Sequence, residues 1–101
     1  MTQSQVYAVI FASKLKPSAK GYDAMAEEME NLTRTQPGFL GIESARSPNG
    51  DGITVCYWES LDAIAAWKAN THHQVAQKRG REEWYESYSL KVCRVEREDG
   101  F

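Results

Sequence analysis

The sequence predicts an α+β domain: a four-stranded antiparallel sheet of the ferredoxin-like, split βαβ kind, with helices on one face. Three observations predict it. Strand-like and helix-like segments follow one another as strand, helix, strand, strand, helices, strand. The segment Pro48-Asn49-Gly50-Asp51-Gly52 is the strongest turn signal in the chain and makes the two middle strands a hairpin. The length of 101 residues suits one domain and leaves no room for a second, which excludes a two-domain dinucleotide enzyme. It also excludes a TIM barrel, which needs roughly 250 residues. The expected division is a single domain over residues 1–101, with a core over about 6–95 and a charged tail over 96–101.

The first strand is Val6-Tyr7-Ala8-Val9-Ile10-Phe11-Ala12, an apolar run too short for a helix and rich in residues that favour extended backbone. Because it does not alternate, it reads as covered on both faces. Pro17-Ser18 opens a helix in which Tyr22, Met25, Met29 and Leu32 recur on one face, with Glu27, Glu28 and Glu30 pointing elsewhere. Pro37-Gly38 stops it. Phe39 to Ala45 is the second strand and Ile53 to Trp58 the third. Ser60 is a good N-cap, Asp62 sits in the first turn, and Leu61, Ile64 and Trp67 share a face. Asn70-Thr71 breaks that helix. Thr71 with Gln74 reads as a capping box for the next, which runs to about Trp84-Tyr85. Tyr88 to Val95 is the last strand.

Right-handed crossovers place all helices on one side of such a sheet. Yet the first, third and fourth strands are apolar on both sides, as with Val9 beside Ile10 and Val55 beside Cys56. A wet patch of that size marks an interface. The expected solution is a two-fold homodimer with two sheets packed face to face.

Composition removes several function classes. Twelve basic against fourteen acidic residues give a net charge of −2, so nothing in the charge suggests a nucleic-acid partner. The local run Lys78-Arg79-Gly80-Arg81 is offset by Glu82-Glu83 and reads as a solvated helix face. No apolar run is long enough to span a membrane. Met1-Thr2-Gln3-Ser4-Gln5 lacks the basic region of a signal peptide. Cys56 and Cys93 lie in apolar runs without CxxC spacing and read as buried free thiols, which favours the cytoplasm. There is no nucleophile elbow, no Gly-rich phosphate loop and no HExxH; the adjacent His72-His73 pair is weak evidence for a metal, since helix neighbours do not face each other.

The stretch from Gly52 to Lys78 resembles the antibiotic biosynthesis monooxygenase domain. It carries Trp58-Glu59-Ser60 at a strand end, Trp67 nine residues later and His73 at the start of the next helix; Pro37-Gly38-Phe39 before the second strand matches as well. The resemblance runs from about Val6 to Val95. It implies a dimeric α+β barrel. The family is functionally mixed: it holds cofactor-independent oxygenases of anthrone-type polyketides and quinols, haem-degrading monooxygenases, and members without known substrates. The haem degraders pair the second Trp with an Asn on the first strand and a His about ten residues on. Here Trp67 is present, but Gln77 occupies the His position and no Asn lies between Val6 and Ser13. A haem role would need His72 or His73 to bind iron one turn away.

The resemblance therefore implies a cofactor-independent monooxygenase with a small aromatic, anthrone-like or quinol-like substrate, no cofactor and no metal. Trp67 would stack on the substrate and bond to its oxygen through the indole N–H; the plainer reading is a core residue beside Leu61 and Ile64. His73 would take the substrate's proton, its pKa being suited to the task; the plainer reading is a surface histidine. Gln77, Tyr57, Trp58 and Phe11 join Trp67 as expected substrate contacts, Tyr85 and Tyr88 are further aromatic candidates, and Trp58 also reads as a packing anchor. Gly80, on the His73 helix face in a helix interior, costs about 1 kcal/mol relative to alanine and so implies close packing or a ligand. The rival from another class is a non-catalytic, small-molecule-binding or stress-related dimeric module.

Overall fold

The computed structural model describes residues 5–101; residues 1–4, on which the reading of the N-terminal segment rests, lie outside it. Strand β1 (Val6–Leu15) is followed by helix α1 (Tyr22–Thr33), strands β2 (Phe39–Arg46) and β3 (Asp51–Trp58), and helices α2 (Leu61–Lys68) and α3 (Thr71–Arg79). A single π-helical turn, Gly80–Trp84, then leads into β4 (Tyr85–Val95). All strands pair antiparallel in the order β2-β3-β1-β4. The expected α+β, ferredoxin-like sheet is therefore present. No helix is long and apolar enough to cross a membrane among the described residues.

The register sorts the apolar residues into two faces, because paired residues point the same way. Tyr7, Val9, Phe11 and Ser13 of β1 share a face with Trp58, Cys56, Thr54 and Gly52 of β3 and with Arg94, Val92, Leu90 and Tyr88 of β4. This face carries the helices, since Trp58 stacks on Trp67 of α2. Ala8, Ile10 and Ala12 lie on the opposite face with Tyr57, Val55 and Ile53 and with Cys93, Lys91 and Ser89. That face is open, and Ile53 is 45% exposed. A second apolar strip is also uncovered: on the helix side of the edge strand β4, Tyr88, Leu90 and Val92 remain 45–49% exposed. The helices thus roof β1 and β3 but stop short of β4.

Several element boundaries differ from the sequence reading. Helix α1 begins at Tyr22, not at Pro17-Ser18. Gly21 precedes it at φ 82°, a left-handed conformation that only glycine adopts cheaply. The Lys20 carbonyl accepts the Trp84 indole N–H at 2.9 Å, tying this segment outside the helix. Helix α3 is capped by Asn70, whose Oδ1 accepts the His73 amide at 3.1 Å, so the capping role falls one residue before Thr71. Leu61 is 54% exposed, which reduces the inner face of α2 to Ile64 and Trp67. Glu30 does not point away: it is half-buried, pairs with Arg34, and acts on Cys56. Both cysteines are free, but only Cys56 is partly covered; Cys93 is exposed because its register places it on the open face. Arg79 is not simply solvated, since it lies 4.7 Å over the Trp84 ring and pairs with Glu83.

Candidate functional site

A ladder of rings crosses the helix-facing side at the end of β3. Phe39 meets Trp58 edge-on at 5.7 Å between centroids, Trp58 stacks on Trp67 at 6.4 Å, and Trp67 stacks on His73 at 4.1 Å with only 11° between planes. Trp58 is 1% and Trp67 8% exposed, so the ladder is part of the core at one end and reaches a half-buried histidine at the other. Local sequence builds this arrangement. Trp67 lies in the last turn of α2, the chain breaks at Asn70, and His73 enters the first turn of α3, so the break folds the two rings together.

Two backbone contacts fix the histidine. Its own N–H bonds to the Asn70 side chain. Its Nδ1 lies 3.0 Å from the Trp67 carbonyl oxygen. A carbonyl only accepts, so Nδ1 carries the proton and Nε2 holds the lone pair in the neutral ring. Burial lowers the His73 pKa from its ordinary value, and the carbonyl bond opposes this more weakly. The outcome is a neutral, oriented imidazole with one basic nitrogen.

The other expected contacts divide between places. Trp58 belongs to the ladder. Gln77 is half-buried one turn along α3 from His73, and its amide has no hydrogen-bond partner among the described residues. Tyr57 follows Trp58's neighbour Cys56 in β3 and therefore projects to the open face, where its hydroxyl meets Glu43 at 3.3 Å. Tyr57 and Trp58 thus do not line one cleft within a single chain. Phe11 is on the helix side but lies further along β1, packed against Tyr85 at 5.3 Å and Tyr88 at 5.4 Å. His72 is exposed. Among the described residues no three His, Cys, Asp or Glu side chains converge where they could hold a metal.

The Phe11 end holds a second aromatic group that the sequence did not reveal as a unit. Tyr22 lies edge-on to both Trp84 and Tyr85 at 5.8 Å. Gly80 lets this group close: a Cβ there would sit 2.6 Å from Cε2 of Tyr85, so the expected close packing is against that ring. Burial, reinforced by the neighbouring Tyr22 phenol, raises the Tyr85 pKa strongly, keeping the phenol neutral. Arg46 was also missed. It reaches from β2 to Ser13 and Tyr22, and the available signal was its place opposite Gly52 across the hairpin, a long cation facing a residue without a side chain. Asn70 was passed over in favour of Thr71, although it is a good cap in its own right.

Comparison with known proteins agrees with the fold. A family model described as antibiotic biosynthesis monooxygenase matches residues 7–79. The chain is 51% identical over 92 residues to the uncharacterized protein YqjZ of Bacillus subtilis, covering 91% of this chain and 81% of that one. It is 23% identical over 94 residues to jasmonate monooxygenase ABM of Pyricularia oryzae, covering 93% of this chain but 38% of that longer protein. Among solved structures, SnoaB of Streptomyces nogalater, described as a cofactor-independent oxygenase, superposes with a TM-score of 0.75 at 13% identity over 96% and 97% of the two chains. Rv0793 of Mycobacterium tuberculosis does so with 0.78 at 18% identity over 94% and 97%. At these identities the structural matches speak for the fold.

Proposed function

The chain belongs to the antibiotic biosynthesis monooxygenase family, and from that membership we propose that it is a cofactor-independent monooxygenase of a small aromatic, anthrone-like or quinol-like substrate. The observation that carries the reading is the Trp67–His73 pair, in which stacking and the Trp67 carbonyl hold a neutral imidazole with Nε2 as its base. The name of SnoaB as a cofactor-independent oxygenase and that of the jasmonate monooxygenase support the reaction class.

The chemistry needs little machinery. His73 Nε2 removes an acidic C–H or O–H proton from the bound substrate, leaving an electron-rich enolate or phenolate. On an anthrone-type CH2, this carbanion gives an electron to O2, and the resulting radical pair joins to form a C–O bond. The imidazolium returns its proton to the peroxide, and loss of water leaves a carbonyl. One oxygen atom ends in the product and the other in water. Trp58 and His73 cover the two faces of Trp67, so its indole edge, not its face, holds the substrate together with Gln77, and the uncovered strip of Leu90 and Val92 beside Phe11 offers an apolar floor for its flat body.

The same reading includes a homodimer formed by the open sheet faces, in which Ile10, Ile53 and Val55 leave water. Two free thiols suit the reducing cytoplasm. The test is oxygen uptake with a panel of anthrones and hydroquinones. Uptake that falls at least tenfold in Trp67→Phe and His73→Ala, as expected for a general base, supports the assignment. Uptake unchanged in both variants refutes this site. No uptake with any panel member, together with a co-purified aromatic ligand, would make the protein a binding module instead.

A further inference from the structure

Asn70 touches both members of the Trp67–His73 pair. Helix α2 ends, like any helix, with its last carbonyls lacking intrahelical donors. Were it to run on, the Thr71 amide would reach the Trp67 carbonyl. Asn70 prevents this: its ψ of 128° is extended, so the chain turns away and starts again as α3. The Trp67 carbonyl takes two other donors instead, the Asn70 amide at 3.1 Å and His73 Nδ1 at 3.0 Å. On its other side Asn70 opens α3. Its Oδ1 accepts the His73 amide at 3.1 Å, and its own carbonyl accepts the Gln74 amide at 2.9 Å. One residue thus holds the acceptor of the imidazole proton with its backbone and the histidine with its side chain.

The ring has no other polar support. Among the described residues its one hydrogen bond is that from Nδ1, and His73 enters none of the ion pairs. Burial and the Trp67 carbonyl act on its proton; no charged side chain of α2, α3 or β3 contributes. Which ring nitrogen is protonated is set by the hydrogen bond that the ring makes. A neutral histidine free in water holds its proton mostly on Nε2, so the opposite tautomer has to be imposed here. The type of side chain at position 70 matters as well. Aspartate or serine would cap α3 as asparagine does. A carboxylate beside His73 would favour the imidazolium, whereas asparagine caps without charge and leaves the ring neutral.

We infer that Asn70 is a positioning residue of the site: it clamps His73 to the Trp67 carbonyl and so puts the ring proton on Nδ1 and the basic lone pair on Nε2. The part it plays in turnover rests on the oxygenase reading; the clamp itself does not.

The experiment is NMR of the full chain with 15N-labelled histidine, which reports the tautomer and the titration of His73 without any substrate. At pH 8 the wild type should hold the proton on Nδ1. N70A should move most of the population to Nε2, and N70S should restore the wild-type tautomer. N70D should restore it too, but titrate at a higher pH than N70S. A residue that merely stabilised α3 would lower the melting temperature in N70A and leave the tautomer unchanged, and that result overturns the proposal. Should N70A fail to fold, N70D and N70S decide: equal His73 midpoints, or a proton on Nε2 in both, overturn it. With any substrate that the wild type oxidises, N70A should lower kcat by about tenfold at unchanged KM, a part of what a general base supplies, and N70S should recover most of it. A raised KM at unchanged kcat would make Asn70 a substrate contact and overturn the positioning role. No oxygen uptake with any panel member would remove the oxygenase reading alone, and the tautomer measurement would still decide the clamp.

Discussion

Gly80→Ala tests the close packing behind the aromatic group most directly. Gly80 has φ −57° and ψ −49°, ordinary right-handed helix, so an alanine backbone meets no strain. Helix propensity alone would make the substitution stabilising by about 1 kcal/mol. Against this, the new methyl would lie 2.6 Å from Cε2 and 2.9 Å from Cδ2 of Tyr85, when carbon atoms rest at about 3.5–4.0 Å. The ring must shift by about 1 Å. It is held by Phe11 at 5.3 Å, Tyr22 at 5.8 Å and Tyr88 at 6.0 Å, so the shift spreads through the group. Overpacking of this kind costs about 1–3 kcal/mol. The net expectation is a loss of about 1 kcal/mol, or about 4–8 °C in melting temperature for a domain of this size. The assay is denaturant unfolding followed by circular dichroism, run as a cycle with Tyr85→Ala. That variant costs about 3 kcal/mol by itself, but it removes the obstacle, and in its background Gly80→Ala should become stabilising by about 1 kcal/mol. The coupling is then about 2 kcal/mol, large for a pair in direct contact but within the usual range. A stabilising Gly80→Ala in the wild-type background, or zero coupling, would refute the packing account.

Two further outcomes follow from the ionisable groups. Folded His73 binds its proton less tightly than an unfolded histidine with a pKa of about 6.5. As pH falls through 6.5 the unfolded chain takes up protons that the folded one refuses, and stability is lost. An NMR titration should place His73 below 6.5, and His73→Gln should lose less stability than wild type between pH 7 and 5; a midpoint at or above 6.5 contradicts this. Burial and Glu30 push the Cys56 thiol up to about 11, so at pH 8 a disulfide reagent should modify Cys93 first and leave Cys56 intact. If the open faces meet in a dimer, Cys93 should become protected as protein concentration rises, while a rate independent of concentration argues against that interface.

How much of this was legible in the sequence depended on whether its cause was local. The strands and the hairpin were readable because apolar runs and Pro48-Asn49-Gly50 act over a few residues. Trp67 and His73 came forward through the family resemblance; the helix break between them is a local signal, but their stacking is not. The start of α1 was misread because Pro17-Ser18 is a genuine helix-opening pattern, overruled by Gly21 and by a bond from Trp84 far along the chain. The same holds for Tyr57: its aromatic ring suggested a pocket, and only strand parity assigns it to the other face. The settings of Glu30 and Arg46 were invisible because their surroundings come from distant elements: Cys56 for one, Ser13 and Tyr22 for the other.

The strand order also dictates how the molecule can be made. β1 precedes the other three strands in sequence and is one of the two inner strands of the sheet, yet neither neighbour is close to it in sequence. The register pairs Tyr7 with Trp58 and Val6 with Val95, so closing the sheet joins segments far apart in sequence. During synthesis the apolar run from Val6 to Ala12 must wait, first for β3 and then for β4, before both of its edges are bonded. Folding dominated by such distant pairings is slow. Until β4 emerges, the run is also an uncharged, proline-free segment of the sort that associates with other chains. The final strand, which contributes little to the Trp67–His73 ladder, is thus what ends the nascent chain's exposure to aggregation.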